Sequence, residues 1–294
     1  MKHFSLQNHN FANKISKKSP INDTIEKKIR KNPIHKKKVV NILGKIIAVA
    51  NQKGGVGKTT TAVNLSAGLA LLGRRVLLID CDPQGNATSG LGIDKTSLEQ
   101  SVYDVLVGQA NLGDIIIHTD FDLDLVPSVM DLAGAEVELV EAEDKLYRLQ
   151  KAITPIRGIY DYIIIDCPPS LGHITLNALT AANSVLLPLQ CEFYALEGLS
   201  QLMSTIEMVQ EQYNSQLYIE GLVMTMFDSR TNLSQQVEAE VRNHFPNQVY
   251  ETKIPRTVRL SEAPSYGQPI FAYAATSKGA LAYEALAKEV ADHE

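Results

Sequence analysis

Residues 53–60, Lys53-Gly54-Gly55-Val56-Gly57-Lys58-Thr59-Thr60, gather three glycines, two lysines and two hydroxyls into eight positions. That is the material of a phosphate cradle. Glycines let the backbone take positive φ and turn several N–H groups toward one anion, and a helix beginning near Lys58 adds the positive end of its dipole. At this spacing Lys58 would neutralise β- and γ-phosphate charge, and the Thr59 hydroxyl would ligate Mg²⁺. Two carboxylates complete the set. Asp82 stands in Asp80-Cys81-Asp82-Pro83-Gln84-Gly85-Asn86, just past an apolar run, where it would orient or polarise a water or reach the metal's water shell; its alternative role is to cap a helix. Asp166 closes Asp161-Tyr-Ile-Ile-Ile-Asp166 and would hold Mg²⁺ through a water.

These groups need a scaffold that delivers them to one edge. Short β-branched runs alternate with helical stretches from Lys45 onward, which predicts an α/β fold: a mostly parallel, twisted sheet with helices on both faces. Strands are expected at Ile46–Ala50, Arg75–Asp80, Asp161–Asp166, Ser184–Leu189 and Tyr218–Met226. The helix after the glycine loop carries Ala62, Leu65, Leu69 and Leu72 as one apolar stripe, and Gly73 is placed to end it. Leu196, Leu199, Leu202, Met203, Ile206 and Val209 mark a second helix, and a last one runs over roughly residues 278–292. In such sheets ligands bind outside the carboxyl ends of the strands, where both carboxylates fall. A glycine-rich turn without a ligand is the competing reading, and the flanking strand and helix argue against it.

The 294 residues, 45% hydrophobic and 21% charged, have an ordinary globular composition. Charge is distributed unevenly. Residues 1–45 hold twelve basic and two acidic residues, a balance of +10, which leaves 16 basic and 31 acidic residues, or −15, for the remainder. Two parts are therefore expected: a basic, disordered arm over residues 1–44 and one folded domain over 45–294. The arm reads as a solvated tail or mis-chosen start, as an accessory phosphate-binding arm, or as a transit peptide, the last disfavoured by its preference for lysine over arginine. Apolar runs such as Val185–Leu189 are far shorter than a membrane span, so the expectation is a soluble chain without a membrane partner. Cys81, Cys167 and Cys191 are odd in number and form no Cys-x-x-Cys pair, which argues against a disulfide framework and a zinc ribbon and suits a reducing cytosol.

The glycine loop departs from the common Gly-x4-Gly-Lys-Ser/Thr pattern, because Gln52 occupies the first glycine position and Lys53 stands five residues before Lys58. This resembles the deviant Walker A loop of the ParA/MinD group of P-loop ATPases. Asp80–Gly92 resembles their switch I, Cys167-Pro-Pro-Ser-Leu-Gly172 their switch II, and Phe227–Leu233 with Ile254–Pro264 the sequences of chromosomal ParA (Soj-type) proteins. The likeness covers residues 45 to about 290 and implies an ATPase that uses ATP and Mg²⁺. The ATP-bound homodimer would bind double-stranded DNA without sequence preference, and a ParB-type partner would stimulate an otherwise slow hydrolysis. It further implies that Lys53 crosses to the partner subunit's nucleotide, that Lys58 and Asp82 serve hydrolysis, and that Gly54, Gly55, Val56, Gly57, Thr59 and Thr60 cradle phosphates. Thr59, Asp82 and Asp166 would surround the metal, and Phe227 and Pro255 would contact adenine. Arg230, Lys253, Arg256 and Arg259 would form the DNA surface, unless each pairs with a nearby acid such as Asp228 or Glu262. The resemblance implies a cytoplasmic, nucleoid-associated protein.

Other classes are testable against the same residues. A MinD-like ATPase that positions a different cargo would need a basic amphipathic C-terminal helix, whereas this chain ends Lys288-Glu-Val-Ala-Asp-His-Glu294. An iron–sulfur carrier needs paired cysteine ligands, and the three cysteines sit beside motifs or inside strands. A repressor-type relative would need an N-terminal helix-turn-helix domain, which 44 residues cannot supply.

Overall fold

The computed structural model describes residues 43–192 and 195–293, with the side chains of 195–197 outside that description. The expectation for the basic arm lies outside the described residues, apart from Leu43 and Gly44. Strands β1 (Lys45–Val49), β2 (Val76–Asp80), β3 (Ile117–His118), β4 (Asp124–Val126), β5 (Tyr162–Asp166), β6 (Ser184–Gln190), β7 (Tyr218–Phe227) and β8 (Val249–Pro255) form one sheet among the described residues. Their spatial order is β3-β4-β2-β5-β1-β6-β7-β8, and every neighbouring pair is parallel except β3 with β4. The helices that matter below are α1 (Lys58–Leu71), α2 (Asn86–Gly90), α3 (Leu132–Glu138), α4 (His173–Ala181), α5 (Ala195–Gln212), α6 (Asn232–His244), α7 (Val258–Glu262) and α8 (Lys278–Asp292).

The central strands Lys-Ile-Ile-Ala-Val, Val-Leu-Leu-Ile-Asp and Tyr-Ile-Ile-Ile-Asp are buried at every position, because a parallel sheet is covered on both faces. Register does the positioning. Val49 on β1 pairs with Asp166 on β5, and Asp166 pairs in turn with Asp80 on β2, so the end of β1 and both acids lie on one rung of the carboxyl edge. Chain order reverses at β1: β2 lies beyond β5 on one side, while β6, β7 and β8 extend on the other. The loop after β1 thus opens into the crevice that such a reversal leaves.

Helix α1 corrects the single-stripe expectation. It is buried almost all round from Thr61 to Ala70, and Leu72, expected in the stripe, is 38% exposed. Helix α8 covers the face opposite the sheet: Thr61 and Tyr283 hydroxyls lie 3.2 Å apart, and a Cβ on Gly68 would stand 2.9 Å from that of Ala287. Gly68 is therefore a contact residue between two helices. Gly73 ends α1 as expected, with φ of 78° and its N–H donating to the Ala70 carbonyl at 2.8 Å.

Candidate active site

The loop between β1 and α1 is held at both ends. The Asn51 amide donates to the Pro188 carbonyl at 2.8 Å and its side-chain oxygen accepts from the Lys53 N–H at 3.0 Å, while the Thr225 hydroxyl donates to the Val56 carbonyl at 2.8 Å. Gly55 and Gly57 take φ of 75° and 88°, a region open to glycine, and a Cβ on Gly54 or Gly55 would meet nothing within 4 Å. The cradle is open on that side. Gly57 precedes α1 without a side-chain cap, and no acid stands in the first turn, so the N-terminal N–H groups around Lys58, Thr59 and Thr60 keep their capacity for an anion. Lys58 is buried, and its ammonium donates back to the Lys53 carbonyl at 3.1 Å. Burial lowers its pKa, against the opposing pull of Asp166, Cys167 and Asp82.

Asp166 and Asp82 act on this lysine, and Asp80 stands beside them. Asp80 is wholly buried and accepts from the Thr88 N–H and hydroxyl, both at 2.8 Å, and from the Asp82 N–H at 3.2 Å. Burial raises its pKa to about 6 in spite of those bonds from Thr88 and Asp82. Asp166 is also wholly buried, and neither carboxylate oxygen has a hydrogen-bond partner of good geometry. Burial, then the neighbouring Asp80, push its pKa well above the carboxylate range; Thr59, Asp82 and Lys58 act more weakly, Thr59 and Lys58 in the opposite sense. An orphaned, buried carboxylate beside a threonine hydroxyl and an open phosphate cradle fits a hard cation with oxygen ligands. Asp82 is buried and closes a turn by accepting from the Gln84 N–H at 2.9 Å, while its carbonyl accepts from the Ser128 hydroxyl at 2.8 Å. The cap of α2 is Gly85, so the alternative role for Asp82 as a helix cap is not realised.

Lys53 is 37% exposed and pairs with Glu192 of its own chain at 2.5 Å. Phe227 and Pro255 end adjacent strands in register, and the Lys253 ammonium sits 4.8 Å over the Phe227 ring, so these residues meet at the carboxyl edge beside Thr225. The four basic residues are less free than a bare cationic surface. Arg230 forms a two-pronged pair with Asp228 at 2.9 and 2.7 Å, Lys253 pairs with Glu238 at 2.6 Å, and Arg259 pairs with Glu262 at 3.1 Å. Arg256 is exposed, and its backbone N–H donates to the Phe227 carbonyl at 3.4 Å. Sequence reasoning missed Asn51, Asp80, Ser128, Glu192 and Thr225. Asp80 ends a strand two residues before Asp82 and was open to the same argument; Ser128, Glu192 and Thr225 carry no local signal.

The AAA-domain family profile matches residues 44–219. The sporulation initiation inhibitor protein Soj of Bacillus subtilis (strain 168) is 60% identical over 250 residues, covering 85% of this chain and 99% of that protein. The chromosome partitioning protein ParA of Myxococcus xanthus (strain DK1622) is 54% identical, covering 84% of this chain and 88% of that one. Among solved structures, a cobyrinic acid a,c-diamide synthase from Mycobacterium smegmatis, with bound ADP and magnesium, superposes with a TM-score of 0.76 at 42% identity, covering 85% of this chain and 95% of that one.

Proposed function

Since this chain belongs to the ParA/Soj family of P-loop ATPases, we propose that it is a chromosome-partitioning switch, whose ATP-bound homodimer holds double-stranded DNA and whose hydrolysis releases it. The observation that carries this reading is a pair of lysines with opposite surroundings: Lys58 is buried against the carboxylates, and Lys53 stands half-exposed at the rim of the same loop.

In the mechanism, Gly54 to Thr60 supply backbone N–H groups to the nucleotide phosphates, and Lys58 balances the charge that develops between β- and γ-phosphate. Thr59 and Asp166 would hold Mg²⁺, with Asp82 at its water shell; when bound, the ion neutralises charge on the transferred phosphoryl group. Asp82 orients the attacking water, its backbone fixed by Ser128 and by the Asp80–Thr88 bonds. Lys53 exchanges Glu192 for the phosphates of a second subunit when two copies close face to face. Phe227 and Pro255 flank the adenine.

Arg230, Lys253, Arg256 and Arg259 face DNA in the dimer. Arg230 and Arg259 hold surface carboxylates, and exposed ion pairs of this kind are worth only about 0–1 kcal/mol, so a phosphate displaces them readily; Lys253 is held more firmly, by a largely buried Glu238 that it shares with Arg242. A ParB-type partner accelerates hydrolysis in this reading. The diamide synthase relative carries a different activity in its name, but the 60% and 54% identities over nearly full-length proteins favour partitioning. Sedimentation velocity of wild type, Lys53→Ala and Asp82→Ala in ATP and in ADP tests the proposal. Wild type and Asp82→Ala should dimerise in ATP alone, and Lys53→Ala should stay monomeric; a dimer formed equally by Lys53→Ala would remove the crossing lysine from the account.

A further inference from the structure

The segment that follows β4 straps the two loops of the site together. At one end the Ser128 N–H donates to the Thr88 hydroxyl at 2.9 Å, and the Ser128 hydroxyl donates to the Asp82 carbonyl. At the other end, on α3, Glu136 accepts from the His173 N–H at 2.7 Å and the Ile174 N–H at 3.2 Å, so its carboxylate caps α4 directly after the Cys167–Gly172 loop. Helix α3 turns Leu132 and Ala135, and Leu139 after it, into the core.

The outward side of the segment from Met130, just before α3, to Val140, in the 3-10 turn after it, is unusual. Met130, Val137 and Val140 are 58%, 75% and 49% exposed, and Ala133 between them is exposed as well. A single exposed valine needs no explanation, but these four recur at spacings of three, four and three, the pattern of an apolar seam that receives another helix. Acids predominate along it. Residues 131–144 contain six acids and no lysine or arginine, and of these Asp131, Glu138, Glu141 and Glu143 are exposed. Glu136 is committed to α4, and Asp144 to Arg148 and Lys151. Two lysines stand at the ends of the seam: Lys145 donates to the Val140 carbonyl at 2.9 Å, and Lys95 donates to the carbonyl of Gln84, whose side chain reaches Met130.

We propose that Met130, Ala133, Val137 and Val140 form a docking seam for one helix of a separate protein, bearing apolar residues at the same three–four spacing and lysine or arginine on either side. Charge complementarity selects that occupant: a second copy of this acidic surface would set carboxylates against carboxylates. A helix seated there rests on the strap that joins Asp82 to α4, and so bears on both loops at once.

The test uses the full chain and a labelled synthetic helix of about three heptads, with leucine at the seam positions and lysine flanking them. A register-scrambled peptide of identical composition serves as the control. Fluorescence anisotropy should show the ordered peptide binding at least about tenfold more tightly than the scrambled one, a difference that hot-spot apolar contacts readily supply. Val137→Asp, and separately the triple change Glu138→Lys, Glu141→Lys and Glu143→Lys, should each remove that preference. Reversing Glu99, Glu211 and Asp292, exposed acids elsewhere, should leave it intact. Val137 is three-quarters exposed, so the variant should fold, which an unchanged thermal melt would verify. Equal binding of the two peptides, retained preference in Val137→Asp, or a concentration-dependent dimer that Val137→Asp abolishes would overturn the proposal, the last by assigning the seam to a second copy.

Discussion

Replacing Asp166 with asparagine should make the ligand-free protein more stable while disabling it. Both Asp166 oxygens are buried without a hydrogen-bond partner, and Asp80 and Asp82 stand beside them. A buried polar group left unsatisfied costs about 1–3 kcal/mol, and asparagine keeps the shape, stays uncharged as burial already demands of Asp166 and offers donors to the neighbouring carboxylates. The gain should therefore be about 1–3 kcal/mol, which for a domain of this size raises the melting temperature by roughly 2–10 °C. Urea denaturation followed by circular dichroism, at neutral pH in chelator without nucleotide, reads the first half. Saturating ATP and Mg²⁺ should then invert the order, since a ligand at about 100 times its Kd adds about 2.7 kcal/mol to the wild type and little to a variant that has lost its metal-facing carboxylate. A ligand-free variant less stable than the wild type by more than about 1 kcal/mol would refute the reasoning, because Asp166 would then be a satisfied structural residue whose loss is felt in the usual way.

Other perturbations separate the remaining roles. Asp82→Ala should lower the hydrolysis rate by at least about a hundredfold, the typical contribution of a positioned acid–base group, while ATP affinity measured by calorimetry stays within a few fold; loss of ATP binding would make Asp82 a metal or structural residue instead. Glu192→Ala should release Lys53 and shift ATP-driven dimerisation, read by light scattering, to protein concentrations lower by at most about fivefold, as befits an ion pair in which both side chains are more than a third exposed. Weaker dimerisation would mean that Glu192 supports the closed state. Gly68→Val should destabilise by about 1–3 kcal/mol in the same urea assay, because its Cβ would press on Ala287, while the nucleotide site is left in place. His118 bonds Asp124 at 2.7 Å, which raises its pKa, so the stabilisation from this pair is complete below the ordinary histidine value and fades as pH rises through the raised one; NMR titration should place its midpoint above that of the Asp124→Asn variant.

The nucleotide chemistry was legible because it depends on short spacings. The glycine loop between a strand and a helix that starts at Lys58, the strand ends at Asp80 and Asp166, and Gly73 after α1 are local patterns, and these elements stand where their spacing put them. What escaped was set by distant partners. The burial of α1 on two sides depends on α8, more than 200 residues away, whose Ala287 and Tyr283 no local window around Gly68 contains. Strand β8 reads as polar at Glu251, Thr252 and Lys253 because it lies at the sheet edge, and β3 and β4 are too short to leave a periodic trace. Ser128 and Glu136 became visible only when the chain between β4 and α4 was seen to touch both loops. The ion pairs of Arg230 and Arg259 with Asp228 and Glu262 were foreseen as alternatives to a free basic surface, and they are formed here.

Retention of the full chain on unrelated double-stranded DNA, in ATP and in ADP across a salt series, tests the central claim most directly. The account predicts retention in ATP alone, lost in Lys58→Ala, with log affinity falling against log salt at about −0.9 per phosphate engaged, or roughly −3 to −4 if a dimer contacts four. Retention that is the same in both nucleotides, or that is indifferent to salt, would contradict a nucleotide-switched DNA clamp.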